Sequence, residues 1–370
     1  MWLGHKYQYI TNELNECTGW ACAIYMAKFH ENIISQQHVT QALDEMILVT
    51  QDFKKAELRD GVYAVLGLLT KNNPLDDRHA ALLKVDYAKP IPDVLRDATR
   101  YALIESGTLW LLGWPGCGLP DENIGDGFPT WAVQADQSLN TKKPQSVQHW
   151  AWACSGLEPS SLLADTSYGL NVLLGEGFIA DRALETTTTW DGCFSDCEGY
   201  CRWLALATKL GRQRYKQETS GDPEDNYLSM AFTFMAGGTT SGRPAQLADV
   251  AGFRDYLDNL SIHDDTLSTG DKMEQCIQEL RKTSHGARAD CRHRRFFITA
   301  EGRMGIGPRS MRADDLIVIL RGGRLPFILR GNGAGGYWLV GGAYVHGIMN
   351  GEAVQEWKAR NEPEKIFHIV

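Results

Sequence analysis

A chain of 370 residues, 43% apolar and 22% charged, has enough surface to bury one large core or two smaller ones. Its 37 basic residues stand against 46 acidic ones, a net charge of −9, which argues against a general grip on nucleic-acid phosphates. No apolar run reaches the roughly 18 to 20 residues of a membrane span, and the N-terminal MWLGHKYQYITNELNE has no signal-peptide core. Nine cysteines, an odd number scattered along the chain, fit a reducing compartment, so the expectation is cytoplasmic.

In chain order, the first element is an amphipathic helix over 57–69, where Leu58, Val62, Val65, Leu66 and Leu69 form one stripe. A second helix starts at the prolines of KPIPD, where a missing N–H is harmless, and buries Val94, Ala98, Tyr101 and Ala102. A loop-rich segment, dense in Gly, Pro and Asp, follows at 113–144. Tyr200, Trp203, Leu204 and Ala207 mark a third helix, and Met273, Cys276, Ile277 and Leu280 a fourth. The polar, basic SHGARADCRHRR then reads as a linker. After Arg295 short β-rich runs appear (RFFIT, DLIVIL, LPFIL, YWLVG and AYVHG), separated by glycines at hairpin spacing. The expected class is α+β: a mostly helical body over 1–290 and a small C-terminal antiparallel β-module over 291–370, either a sheet or a partly closed barrel.

Few motifs point to chemistry. Gly331, Gly333 and Gly336 match G-x-G-x-x-G by letter, but they lead into a strand rather than a helix, so they read as a hairpin loop. Walker A, G-x-S-x-G and H-E-x-x-H sequences are missing from the chain. Cys193, Cys197 and Cys201, spaced four apart, read as buried thiols rather than zinc ligands. Cys291 and His293 with His285 make a weaker metal candidate, and His263, Asp264, Asp265 and Asp271 an acidic loop. No metal and no cofactor is expected. The basic run Arg288, Arg292, His293, Arg294 and Arg295 could hold an anionic ligand or an acidic partner, with a solvated linker as the plainer account. Among eleven tryptophans, Trp110, Trp114, Trp131, Trp150 and Trp152 flank the loop-rich segment. Core is their ordinary fate, yet indoles beside glycine-rich loops also make rigid apolar walls for a ligand.

Three stretches carry a family resemblance: RDGVYAVLGL (Arg59–Leu68), VDYAKPIPDVLRDATRYAL (Val85–Leu103) and the run from Arg294 to Arg330, with YWLVGGAYVHGIMNGEA after it. They resemble fungal heterokaryon-incompatibility (HET) proteins, in the part that follows the HET domain. The N-terminal MWLG resembles only that domain's last strand. The resemblance therefore implies that the HET domain, with its cell-death role and its likeness to signalling NADase folds, is nearly absent. FPTWAVQADQS (Phe128–Ser138) keeps Trp131 and Asp136 of a family stretch but loses a proline and a second tryptophan.

Two functions follow as expectations. The first is a free-standing HET-type scaffold that binds a hydrophobic, polyketide- or terpenoid-like molecule, as a cofactor-free cyclase or pericyclase of fungal secondary metabolism. Trp110, Trp114, Trp131, Trp150 and Trp152 would then wall the substrate site with Arg295, and His149 and Asp136 would be the catalytic pair. The second is a non-enzymatic incompatibility or innate-immunity module that recognises a partner protein, or a truncated gene model of one.

Overall fold

The computed structural model describes residues 43, 56–69, 80–113, 128–133, 151–192, 197–218, 223–239, 243–250 and 291–370. Helices α1 (Asp60–Leu69) and α2 (Ile91–Ser106) come first, followed by the long strand β1 (Leu173–Thr186). Helices α3 (Cys197–Glu218), α4 (Pro223–Phe234) and the short α5 (Leu247–Val250) follow. The C-terminal part holds β2 (Arg294–Thr299), β3 (Met304–Pro308), β4 (Leu316–Leu320), β5 (Phe327–Gly331), β6 (Tyr337–Gly342) and β7 (Tyr344–Val345). Helix α6 (Glu352–Arg360) and strand β8 (Lys365–Ile369) complete it.

The α+β class holds, but the described residues taken together are not mostly helical, and the sheet is not confined to the part after residue 291. The fourteen-residue β1 is the hub of the sheet, pairing antiparallel with β8, β4 and β2 in turn. Pairings β4–β5–β6–β8–β1 return to β4 and so close a ring, with β2, β3 and β7 continuing from the far half of β1. Two register shifts, at Ile179/Asp181 and Ala183/Glu185, bend β1 from the ring into this second layer. Gly177 makes the crossing possible. A Cβ there would lie 2.0 Å from the Ile319 carbonyl oxygen, so only glycine lets β1 run this close to β4.

The weakest junction of the ring is β6 to β8, a single parallel bridge between Tyr337 and Ile369. Thr130 fills the gap beside it. Its N–H and its hydroxyl both donate to the Val370 carbonyl, and the hydroxyl accepts from Leu339 N at 2.8 Å. The N–H groups of Thr130 and Leu339 would otherwise be buried donors short of a bond.

The cores explain the apolar runs. In β4, Val318 and Leu320 face a core shared with Val94, Ala98, Tyr101, Ala102 and Leu103 of α2. Ile317 and Ile319 face the opposite side, where Ala353 and Val354 of α6 pack. Strands buried on both faces read as continuous hydrophobic sequence, which is why DLIVIL and LPFIL stood out. Phe296 and Ile298 of β2 turn instead to Tyr200, Trp203, Leu204 and Ala207 of α3 and Met230 and Phe234 of α4. Phe297 between them joins the α6 core. The order across the molecule is thus α1 and α2, the ring, α6 with the β2–β3 hairpin, then α3 and α4.

Helix α2 begins as expected, with Pro90 at its N-cap and a proline in its first turn, and ends on Gly107 in the left-handed region (φ 62°). Leu58 lies outside α1 and is exposed, because the helix starts two residues later. The 331–336 glycines do form a hairpin loop between β5 and β6, closed by Asn332 Oδ1 accepting from Ala334 N and Gly336 N. Cys201 is a buried free thiol, and Cys291, expected in a linker, is fully buried with Sγ 3.2 Å from the Phe234 carbonyl. The helix expected at 273–280 and the acidic loop at 263–271 lie outside the described residues.

Candidate functional site

The described residues include four of the eight expected site residues. Trp110 is half-buried and packs against the same core that holds Trp131. Trp131 is fully buried: its Nε1 donates to the Asn171 carbonyl at 3.0 Å and its ring lies 4.8 Å from the Arg100 guanidinium carbon. Trp152 is on another part of the surface, exposed and stacked 4.8 Å from Arg324. Arg295 is half-buried at the start of β2. Trp114, Asp136, His149 and Trp150 lie outside the described residues, so the expected catalytic pair has no position here.

Among the described residues Arg100 is the most deeply buried cation. Its guanidinium donates to the carbonyls of Leu163, Leu170 and Val172, tying α2 to the segment that enters β1. Burial lowers its pKa to about 10, helped by repulsion from Arg96, and it stays charged at neutral pH. Such a side chain fixes the frame on which a site can stand, and its ring partner Trp131 is as fully buried as it is.

A second charged group sits where the chain leaves β1 for α3 and where it returns into β2. Thr187 N donates to the Phe296 carbonyl at 2.9 Å, and Phe296 N to Thr187 Oγ1 at 3.1 Å. His293 N donates to the Trp190 carbonyl at 2.9 Å, and His293 Nδ1 meets Asp191 Oδ1 at 2.9 Å. Thr189 Oγ1 donates to Asp191 Oδ2 at 2.9 Å, and Arg309 Nη1 lies 3.6 Å from Oδ1. Burial alone would raise the Asp191 pKa. The bonds from His293 and Thr189, with the charge of Arg309, outweigh it and hold the carboxyl below its ordinary value. His293 takes a left-handed backbone (φ 58°), uncommon for a residue with a Cβ, which turns its ring onto Asp191. The basic run was visible in the sequence; Asp191, Thr187 and Thr189 were not, since only the returning chain brings them there.

A third group lies at the end of β7. The Tyr344 hydroxyl is 3.1 Å from His346 Nδ1, and Phe232 of α4 stacks on the imidazole at 5.6 Å. Burial pushes the Tyr344 hydroxyl well above its ordinary pKa and pulls His346 below its own. Among the described residues no three His, Cys, Asp or Glu side chains gather as a metal site, and no helix is long and apolar enough to cross a membrane.

Residues 244–367, which include β2 through β7, α6 and most of β8, match the family model of the Het-6 beta-barrel domain. The chain is also similar to Heterokaryon incompatibility protein 6, OR allele, of Neurospora crassa, at 37% identity over 62 residues. That match covers 16% of this chain and 9% of the relative, so the chain spans only a small part of the protein it resembles. No solved structure matches.

Proposed function

Because residues 244–367 match the Het-6 beta-barrel domain, we propose that this chain is a heterokaryon-incompatibility family protein and serves as a recognition module that binds a partner protein in the cytoplasm. The single observation that carries this reading is the family match over residues 244–367, the part of the chain that supplies seven of the eight described strands. The charged groups favour it too. Arg330 is locked onto Asp315, Arg321 onto Glu364 and Arg303 onto Glu356, so these side chains stiffen a surface rather than wait for a substrate. A cofactor-free cyclase gains no support from the family match.

Pairing of fungal strains tests the reading. Strains carrying this gene intact, deleted or exchanged for a divergent allele would be fused in all combinations. We expect heterokaryons to fail between intact and divergent alleles and to recover when one copy is deleted. Equal heterokaryon formation in every pairing would overturn the proposal.

A further inference from the structure

The junction between β1 and β2 carries a cation that meets no carboxylate among the described residues. Several half-buried arginines elsewhere face carboxylates: Arg330 meets Asp315 at 2.7 Å, and Arg321 meets Glu364 at 2.6 Å. Arg295 differs. Its Nε donates to the Arg309 carbonyl at 2.6 Å and its Nη1 to the Thr187 carbonyl at 2.7 Å, and its remaining nitrogen, Nη2, donates to no atom of the described residues. The guanidinium is held rigid by main-chain dipoles while its charge has no carboxylate opposite among the described residues.

His293 is two residues away on the same stretch. Asp191 holds its Nδ1, which leaves Nε2 as the donor available to a ligand when the imidazole is protonated. Arg309 links the two, since its carbonyl anchors Arg295 and its guanidinium shares Asp191 with His293. The Asp191 carboxylate is committed on both oxygens, so it orients the cations more than it repels an anion.

We propose that Arg295 Nη2 and His293 Nε2, flanked by Arg309, form a binding site for a phosphoryl oxyanion. The chemistry favours phosphoryl over carboxylate. A planar carboxylate is best met by the paired nitrogens of an arginine fork, and the Arg295 fork is already spent on carbonyls. What remains are single donors from separate side chains, which suit the separately directed oxygens of a tetrahedral group. The phosphoryl group could belong to a free metabolite or to a phosphorylated side chain of a partner. The site stands independently of the recognition reading, since it rests on these side chains and not on the family.

Calorimetric titration of inorganic phosphate into the full chain, against chloride at matched ionic strength, tests the site. Saturable binding is expected. It should weaken about tenfold in Arg295→Lys, which keeps the charge but loses the fork, and similarly in His293→Gln, with circular dichroism unchanged. If Arg295→Lys fails to fold, His293→Gln alone carries the comparison. Competition by a phosphoserine peptide or by a mononucleotide then tells which source is preferred, and either winner supports the site. Absence of saturable binding, or undiminished affinity in the folded variants, would overturn it.

Discussion

His346 shows how one side chain couples burial to acidity. Burial holds its pKa below the ordinary 6.5, with Glu352 pulling weakly the other way. In the unfolded chain the same imidazole takes up a proton near its ordinary value, so between the two values the unfolded state binds more protons. The stability tied to His346 is therefore present above about pH 6.5 and lost as pH falls below it through the lower folded value. Urea unfolding at about pH 7.5 and about pH 5 should show a fall in midpoint that is smaller in His346→Gln. An equal fall in both proteins would place the acid sensitivity in other groups. Arg100 is the opposite case, a buried charge kept by three carbonyls and an indole, and nothing local in the stretch DATRYAL distinguishes it from a surface arginine.

Among the elements, β1 was the least legible in sequence and has the most partners. LLGEGFIADRALET contains two glycines and two register shifts, so its apolar residues keep no steady alternation and read like a loop. Strands β4 and β5 were plain because both faces are buried, and α2 was plain because its prolines and one apolar stripe agree. The charged junction was half legible. Its arginines cluster in the sequence, whereas Asp191 and Thr187 lie more than a hundred residues upstream of their partners, beyond the reach of any local spacing. Gly177 concentrates the packing constraint of β1. Gly177→Ala forces a methyl into the Ile319 carbonyl and should cost about 1–3 kcal/mol or more, seen as a lower denaturant midpoint. A neutral Gly177→Ala would mean that β1 can move away from β4 without loss.

At the scale of the molecule, the excursion from Thr187 to His293 separates neighbours in the sheet without separating them in space. Its ends are tied by Thr187 to Phe296 and by Trp190 and Asp191 to His293, so α3 and α4 pack back onto the β2–β3 hairpin from a closed neck. The ring is organised differently. Its last strand, β8, lies between β1 and β6, and Thr130 reaches the carbonyl of residue 370 across 240 positions.

That placement orders events during synthesis. Until residues 365–370 clear the ribosome, β1 has no β8 to pair with, Thr130 has no Val370 carbonyl, and the buried side chains Phe367 and Ile369 are missing from the α2 core. The growing polypeptide therefore carries β1 without its sheet partners until β2 to β7 are made, and then an open, edge-exposed sheet until β8 emerges, a state that invites association between neighbouring nascent chains. Ribosome-stalled chains ending at residue 364 should be digested by protease far faster than released full-length protein, while chains extended by a flexible tail that exposes residue 370 should become resistant. If the shorter stalled chains prove equally resistant, the ring is stable without its final strand.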